Sequence, residues 1–146
     1  VWLNGENVSS VIRQEEVGKM ASASSVYPVV RTKLVELQQE LAKTTDVIMD
    51  GRDIGTVVRP NADVKIYMTA SSAVRAKRRF DELVAKGVEC DLDEIEKDII
   101  ERDYRDMNRE TSPLKKADDA VELDTSDLDI DGVVNAMKGI IEQKRK

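Results

Sequence analysis

Apolar residues along the chain fall into short runs and into helical stripes, and together these predict an α/β fold. Residues 47–49 form a short apolar run that stops at a charged turn, which is typical of a buried parallel strand. Residues 64–68 and 120–123 predict two further strands of the same sheet. Near the start, Asn4 and Gly5 separate two apolar arms and predict a β-hairpin with a type I′ turn.

Helices are predicted wherever apolar residues recur at intervals of three and four. The stripes lie within residues 28–41, 72–86, 91–109 and 130–141, and a weaker, more polar helix is expected at 15–25. Ser71 and Asp91 suit N-cap positions, and Gly87 suits the position just after a helix. The order of elements fits a parallel sheet flanked by helices. Because three strands are few for such a sheet, we expect further strands before residue 1.

The composition limits the classes of function. The 146 residues carry a net charge of −6, which argues against binding a nucleic acid polymer or a membrane surface, although a local basic pocket is compatible with it. Cys90 is the single cysteine and there is no histidine, so intrachain disulfides, Cys/His zinc sites and histidine bases are excluded. With no apolar run of about 18 residues and no signal-like segment, we expect a soluble, cytoplasmic protein.

Arg52 and Asp53 directly follow the strand predicted at 47–49. In open α/β sheets, ligands bind just beyond the carboxyl ends of the strands. The pair therefore offers a cation for an anionic group and a carboxylate for a hydrogen-bond donor. On these two residues alone, an internal ion pair is an equally good interpretation.

A second group of charges lies at the end of the helix predicted at 91–109. Arg102, Asp106 and Arg109 share one helical face because they are spaced by four and three residues, and Arg105 flanks them. The abundance of arginine favours bidentate recognition of phosphate, while an exposed ladder of salt bridges is the alternative.

Two further polar clusters have both a functional and a structural interpretation. Ser22 belongs to a group of serines, and Arg31 either faces solvent or reaches back toward them. Residues 75–79 hold four cations in five positions, which indicates either a solvated helix face or contact with an anionic ligand. Arginines dominate, and there is no nucleophile–base pair. The chemistry that fits is phosphoryl transfer, which needs positioning and charge neutralisation.

At these residues the chain resembles a known family. The segments DGRDIGTVV, VKIYMTASS and ERDYRDMNR are similar, in content and in order, to the bacterial cytidylate (CMP) kinases of the nucleoside monophosphate kinase superfamily. ENVSSVIRQEEV and ASASSVYPVVR resemble that family's insert in the monophosphate-binding domain and its junction with the core. The resemblance implies a P-loop NTPase-like sheet, ATP with Mg²⁺ as phosphoryl donor, and CMP or dCMP as acceptor. We also expect the protein to be a monomer.

The resemblance also implies roles for individual side chains. Ser22, Arg31 and Asp53 would read the cytosine edge, since a hydroxyl, a guanidinium and a carboxylate complement its acceptors and amino group. Arg52 and Arg109 would hold the acceptor phosphate.

The remaining implied roles concern the ribose and the transferred group. Arg102 and Asp106 would contact the ribose, and the catalytic arginines would be Arg52, Arg109 and Arg102. Residues 75–92 resemble a short mobile lid whose cations approach the phosphoryl group, although the resemblance does not identify which of them do so.

One departure from the family is large. Its members cradle the donor phosphates with a GxxxxGK[ST] loop, which is absent from these 146 residues, so neither donor-binding residues nor protein metal ligands are assigned. We therefore expect the C-terminal two-thirds of such a kinase, with residues 1–27 as part of the monophosphate-binding insert and 28–146 as the remaining core. The alternatives are a catalytically silent nucleotide-binding fragment and a kinase for another small acceptor.

Overall fold

The structure of the chain is a computed structural model that describes residues 1–25 and 27–144. These residues form two compact units, the first ending at Ile48 and the second beginning at Met49. The functional division predicted between residues 27 and 28 is a boundary of a different kind, and it stays a prediction.

The first unit combines a hairpin with helices. Its elements are β1 (Trp2–Leu3), β2 (Glu6–Asn7), a 3₁₀ turn (Val11–Arg13), α1 (Glu15–Ser24) and α2 (Pro28–Thr44). β1 and β2 pair antiparallel, and Asn4 and Gly5 between them have φ angles of 51° and 85°. Two successive positive φ angles define the type I′ turn, so the predicted hairpin is confirmed.

Helix α2 carries the stripe predicted for it. Pro28 stands in its first turn, where the missing N–H costs no hydrogen bond. The stripe consists of Val30, Leu34, Leu37 and Leu41, and all four side chains are exposed. The helical period is therefore confirmed, while the hydrophobic face it forms is in contact with water.

The second unit contains the parallel sheet. Its elements are a π-helical turn (Ile54–Val58), β3 (Ile66–Thr69), α3 (Ser72–Ala85), α4 (Leu92–Asn108), β4 (Val121–Asp124) and α5 (Ile130–Lys144). β3 and β4 pair in parallel, with Ile66 opposite Val121 and Thr69 opposite Asp124. The mixed α/β class with a parallel sheet is as predicted. No helix within the described residues is long and apolar enough to cross a membrane.

The strand predicted at 47–49 is wrong in this structure. Residues 46–50 have no regular secondary structure, and the chain then bends into the π-helical turn. A strand exists only where a neighbouring strand exchanges hydrogen bonds with it, and in the described residues β3 and β4 pair only with each other. Ile48 is fully exposed, so its hydrophobicity alone does not produce a strand.

The ends of α3 and α4 follow the predicted caps. The Ser71 hydroxyl accepts a hydrogen bond from the Val74 amide at 3.2 Å, and the Asp91 carboxylate accepts one from the Glu94 amide at 2.9 Å. Gly87 follows α3 with φ +72°, and the amides after the helix return to its last carbonyls as in a Schellman motif. The sequence signals therefore give both N-termini and the stop after α3 correctly.

Polar side chains make up most of what the second unit buries among the described residues. Val58 and Ala76 are the buried apolar side chains. The buried polar ones are Asp53, Lys65, Asp106 and Thr125. Since buried polar groups need partners, each of these side chains marks a place where the chain is held in a specific geometry.

Candidate functional site

Three arginines converge on the carboxylate of Asp106, which lies in the last turn of α4 and is only 8% exposed. Arg52 Nε donates a hydrogen bond to Oδ2 at 2.9 Å. Arg109 Nη1 lies 3.5 Å from Oδ1, and Arg102 Nε lies 3.9 Å from Oδ2. The structure therefore brings together four of the seven predicted site residues, which we call the Asp106 cluster: Arg52, Arg102, Asp106 and Arg109.

Arg109 reaches this cluster by a different route from the one predicted. α4 ends at Asn108, and Arg109 itself has an extended backbone instead of lying on a helical face. The chain then turns back, and the Leu114 amide donates a hydrogen bond to the Asp106 carbonyl at 2.8 Å. The helix stops before Pro113, because a proline and the residue preceding it do not continue a helix.

Ser112 is a site residue that the sequence analysis missed. Its carbonyl accepts a hydrogen bond from Arg109 Nε at 2.8 Å, and its φ angle is +50°, in the left-handed region. The carbonyl is thus turned toward the guanidinium by a backbone conformation that costs an L-residue about 1 kcal/mol. A non-glycine φ of this sign cannot be read from residue types, so no sequence signal identifies it.

Arg105 does not join the cluster, although it flanks the same predicted face. Its Nε donates to the carbonyl of Glu101 at 3.3 Å, within its own helix. The third guanidinium comes instead from Arg52, which lies 54 residues before Asp106 in the sequence. Helical spacing can group residues of one helix, but it does not predict a contact between residues so far apart in the sequence.

The Asp106 cluster gathers three guanidiniums around one largely buried carboxylate. The side chains of Arg102 and Arg52 are about half exposed, so these two cations are accessible from solvent. Such an arrangement is suited to an anion that presents several oxygens, since each guanidinium donates a planar fork of N–H groups.

Asp53 lies beside Arg52 at the start of the π-helical turn and is buried. Its carbonyl accepts hydrogen bonds from the amides of Val57 and Val58, at 2.8 and 3.3 Å. The turn is therefore closed onto Asp53, which fixes the backbone that carries both Arg52 and Asp53. The predicted role of its carboxylate toward cytosine stays a prediction.

Ser22 and Arg31 belong to the first unit. The Ser25 hydroxyl donates to the Ser22 carbonyl at 2.9 Å, and Arg31 Nη1 donates to the Ser25 carbonyl at 3.4 Å. Arg31 therefore reaches back toward the serines, as one of the two interpretations expected. Whether Ser22, Arg31 and Asp53 act on one base stays a prediction.

The basic face of α3, residues 75–79, has partners within the protein. Arg75 Nη2 donates to Asp103 at 2.6 Å and thereby links α3 to α4. Lys77 pairs with Asp81, and Arg79 Nη1 pairs with Glu82 at 2.9 Å. Arg78 donates to the Thr125 carbonyl at 2.5 Å and to the Leu128 carbonyl at 3.1 Å. In this structure each of the four cations binds a different acceptor within the protein, which agrees with the structural interpretation of this face and not with a contact to an anionic ligand.

The described residues show no dedicated metal cage. Across residues 1–25 and 27–144, no group of three or more His, Cys, Asp or Glu side chains could hold a metal ion.

Comparison with known proteins identifies close relatives. A family model described as cytidylate kinase matches residues 1–143. The cytidylate kinase of Lactobacillus johnsonii is 55% identical over all 146 residues, which cover 64% of that protein. The cytidylate kinase of Streptococcus pneumoniae strain Hungary19A-6 is 49% identical over 144 residues, which cover 65% of it. The chain thus spans just under two thirds of the length of these curated relatives.

Proposed function

Because the chain belongs to the cytidylate kinase family, we propose that the protein containing it transfers the γ-phosphoryl group of ATP to CMP and dCMP. The observation that carries the proposal is the convergence of three arginines on Asp106. A nucleoside monophosphate carries a phosphate with a charge of about −1.5 to −2 near neutral pH, and closely spaced guanidiniums are suited to bind such a group.

Arg52 and Arg109 hold the acceptor phosphate in this proposal. Both guanidiniums are already oriented by protein acceptors, Arg52 by Asp106 and Arg109 by Asp106 and the Ser112 carbonyl. Donors that are oriented before the substrate arrives need little reorganisation when charge develops during the reaction. The printed contact of Arg52 uses only its Nε, and a guanidinium has five N–H groups.

Arg102 and Asp106 contact the ribose, and Ser22, Arg31 and Asp53 read the cytosine edge. The exposed side chain of Arg102 at the rim of the cluster supports a role toward the outer part of the nucleotide. The two carboxylates and the hydroxyl supply acceptors for the amino group of cytosine and for ribose hydroxyls.

The reaction needs no protein nucleophile. An oxygen of the acceptor phosphate bonds to the γ-phosphorus while the bond to the bridging oxygen of ADP breaks, and ADP leaves with that electron pair. Arg52, Arg109 and Arg102 neutralise the phosphate oxygens and hold the acceptor in line. Residues 75–92 act as a lid that excludes water, in a P-loop NTPase-like core of which β3 and β4 are part.

Mg²⁺ bound with ATP would supply further neutralisation of the donor phosphates. It is commonly held by one or two carboxylates together with substrate phosphates and water.

A coupled assay of the protein containing this chain tests the proposal, with CMP, dCMP, UMP and AMP compared at equal ATP. We expect kcat/KM for CMP and dCMP to exceed those for UMP and AMP by at least about tenfold, because the base is read by hydrogen bonds. A preference for UMP or AMP would overturn the cytosine assignment, and transfer to none of the four would overturn the function.

The 146 residues studied alone answer a separate question. Calorimetry with CMP and with ATP determines which nucleotide this chain binds, and a turnover assay determines whether it acts without further sequence. Binding of CMP without turnover would support the alternative of a silent nucleotide-binding fragment for the isolated chain.

A further inference from the structure

Lys65 is a buried cation that the proposed reaction does not use. Its side chain is 7% exposed, and its ammonium group bonds to the Pro60 carbonyl and to both carboxylate oxygens of Asp119, the latter at 2.8 Å each. A buried lysine with three acceptors uses all of its N–H donors, so its ammonium group is held in one position.

The backbone of Lys65 is fixed as well. Its carbonyl accepts a hydrogen bond from the Val121 amide at 3.0 Å, directly before the paired strands β3 and β4. The side chain therefore extends from the rigid sheet toward Pro60. Its stem passes close to the π-helical turn, since a Cβ added at Gly55 would lie 3.5 Å from Lys65 Cδ.

Pro60 is the far end of the segment that carries Arg52 and Asp53. The Arg59 amide donates to the Ile54 carbonyl at 2.7 Å, and the amides of Val57 and Val58 donate to the Asp53 carbonyl. Val58, at the end of the turn, is 2% exposed, so its side chain packs in the interior. Fixing the position of Pro60 therefore also limits the movement of Asp53, because the hydrogen-bonded turn joins them. Arg52 directly precedes Asp53, so its backbone is held as well.

We infer that Lys65 is a positioning residue for the acceptor site: by binding Pro60 and Asp119 it anchors the turn that holds Arg52 against Asp106. The inference rests on the proposed function in so far as Arg52 binds the acceptor phosphate. The hydrogen bonds from Lys65 also hold the pKa of Asp119 below its ordinary value, so the carboxylate stays charged as the partner of the ammonium.

The test combines amide hydrogen exchange with kinetics on the Lys65→Met variant of the protein containing this chain. Methionine keeps the length of the stem and removes the ammonium. We expect the amides of Val57, Val58 and Arg59 to exchange about tenfold faster, because the turn loses its anchor. We also expect the KM for CMP to rise and kcat to fall, while the KM for ATP stays within about twofold.

Lys116→Met is the matched control. Lys116 also binds one carboxylate near the same sheet, Glu122 at 2.8 Å, but both partners are exposed. We expect this variant to change neither the exchange rates nor the kinetic constants. If Lys65→Met does not fold, Asp119→Asn provides the test, with the same pattern at smaller amplitude, because the bond to Pro60 remains.

Unchanged exchange at the three amides overturns the anchor. Faster exchange with equal losses toward CMP and ATP, or with no kinetic loss, overturns the positioning role and leaves Lys65 as a structural residue. If the unmodified protein does not phosphorylate CMP, the proposed function fails, and faster exchange in Lys65→Met then still supports the anchor while unchanged exchange still overturns it.

Discussion

Two arginine-rich regions of the second unit look alike in sequence and differ in structure. In the Asp106 cluster, three guanidiniums share one largely buried carboxylate. On the basic face of α3, residues 75–79, each cation has an acceptor of its own, such as Asp103 for Arg75 and Glu82 for Arg79. The first arrangement gathers three cations around one carboxylate, whereas in the second Arg75, Lys77 and Arg79 each have a carboxylate and Arg78 binds backbone carbonyls.

This difference shows that the number of arginines does not identify an anion site. What distinguishes the Asp106 cluster is that several cations converge on one carboxylate that is itself largely buried. Paired cations on an exposed helix contribute little to binding or stability, because each charge is already compensated and hydrated.

The largest effect is expected from removing a phosphate-binding arginine of the Asp106 cluster. Arg109→Ala and Arg52→Ala should each lower kcat/KM for CMP by about 10²- to 10³-fold, because an oriented donor to a developing charge is lost. The measurement is the steady-state assay with CMP as variable substrate. Arg105→Ala removes an arginine of α4 that lies outside the Asp106 cluster and donates to the Glu101 carbonyl, and it should stay within about twofold. Equal losses in all three variants would show that membership of the Asp106 cluster does not decide which arginines the reaction needs.

A second test removes the shared carboxylate. Asp106→Asn should lower the free energy of unfolding by about 2 kcal/mol, because three guanidiniums would lose the carboxylate they share, with partial relief from solvent at Arg52 and Arg102. Asp81→Asn removes an exposed partner of Lys77 on α3 and should cost less than about 0.5 kcal/mol. Urea unfolding at neutral pH compares the two variants, and equal costs would contradict the argument from convergence.

A third test asks which cations of α3 matter for stability. Arg78→Ala should lower the free energy of unfolding by about 1 to 2 kcal/mol, since the carbonyls of Thr125 and Leu128 lose a charged donor and Thr125 is buried. Arg79→Ala removes only an exposed pair with Glu82 and should cost less than about 0.5 kcal/mol. Indistinguishable unfolding midpoints would mean that Arg78 is as weakly coupled as its neighbour.

The smallest effect concerns pH. Hydrogen bonds from Lys86 and from Arg79 lower the pKa of Glu82 from its ordinary value of 4.5. A carboxyl with a depressed pKa in the folded state stabilises the fold above that ordinary value and loses this contribution as pH falls through the folded pKa. The difference in unfolding midpoint between the parent and Glu82→Gln should therefore be small at pH 7 and shrink as the pH falls below 4.5. A difference that does not shrink would contradict an electrostatic origin.

Residue types and spacing predict most of the local structure. The hairpin turn at Asn4 and Gly5, the caps at Ser71 and Asp91 and the stop at Gly87 are confirmed, because each depends on a few neighbouring atoms. The strand at 47–49 is wrong because a strand needs a hydrogen-bonded neighbour, which is not a property of the segment itself.

The candidate site is predictable in part for the same reason. Arg102 and Asp106 are grouped correctly by helical spacing, whereas the contact of Arg52 with Asp106 joins residues 54 positions apart. Lys65 gives no signal in the sequence, since a lysine is ordinarily solvated, and its burial depends on where Pro60 and Asp119 lie. Long-range ion pairs of this kind become visible only once the chain is folded.

The exposed stripe of α2 has a practical consequence for these measurements. Four apolar side chains along one helix offer a ready surface to environment-sensitive dyes such as ANS, even when every hydrogen bond of the fold is intact. A dye-based melting curve of this chain would then begin from high fluorescence and would be mistaken for partial unfolding. Circular dichroism and amide exchange report on the backbone itself, so they are the appropriate probes of its folded state.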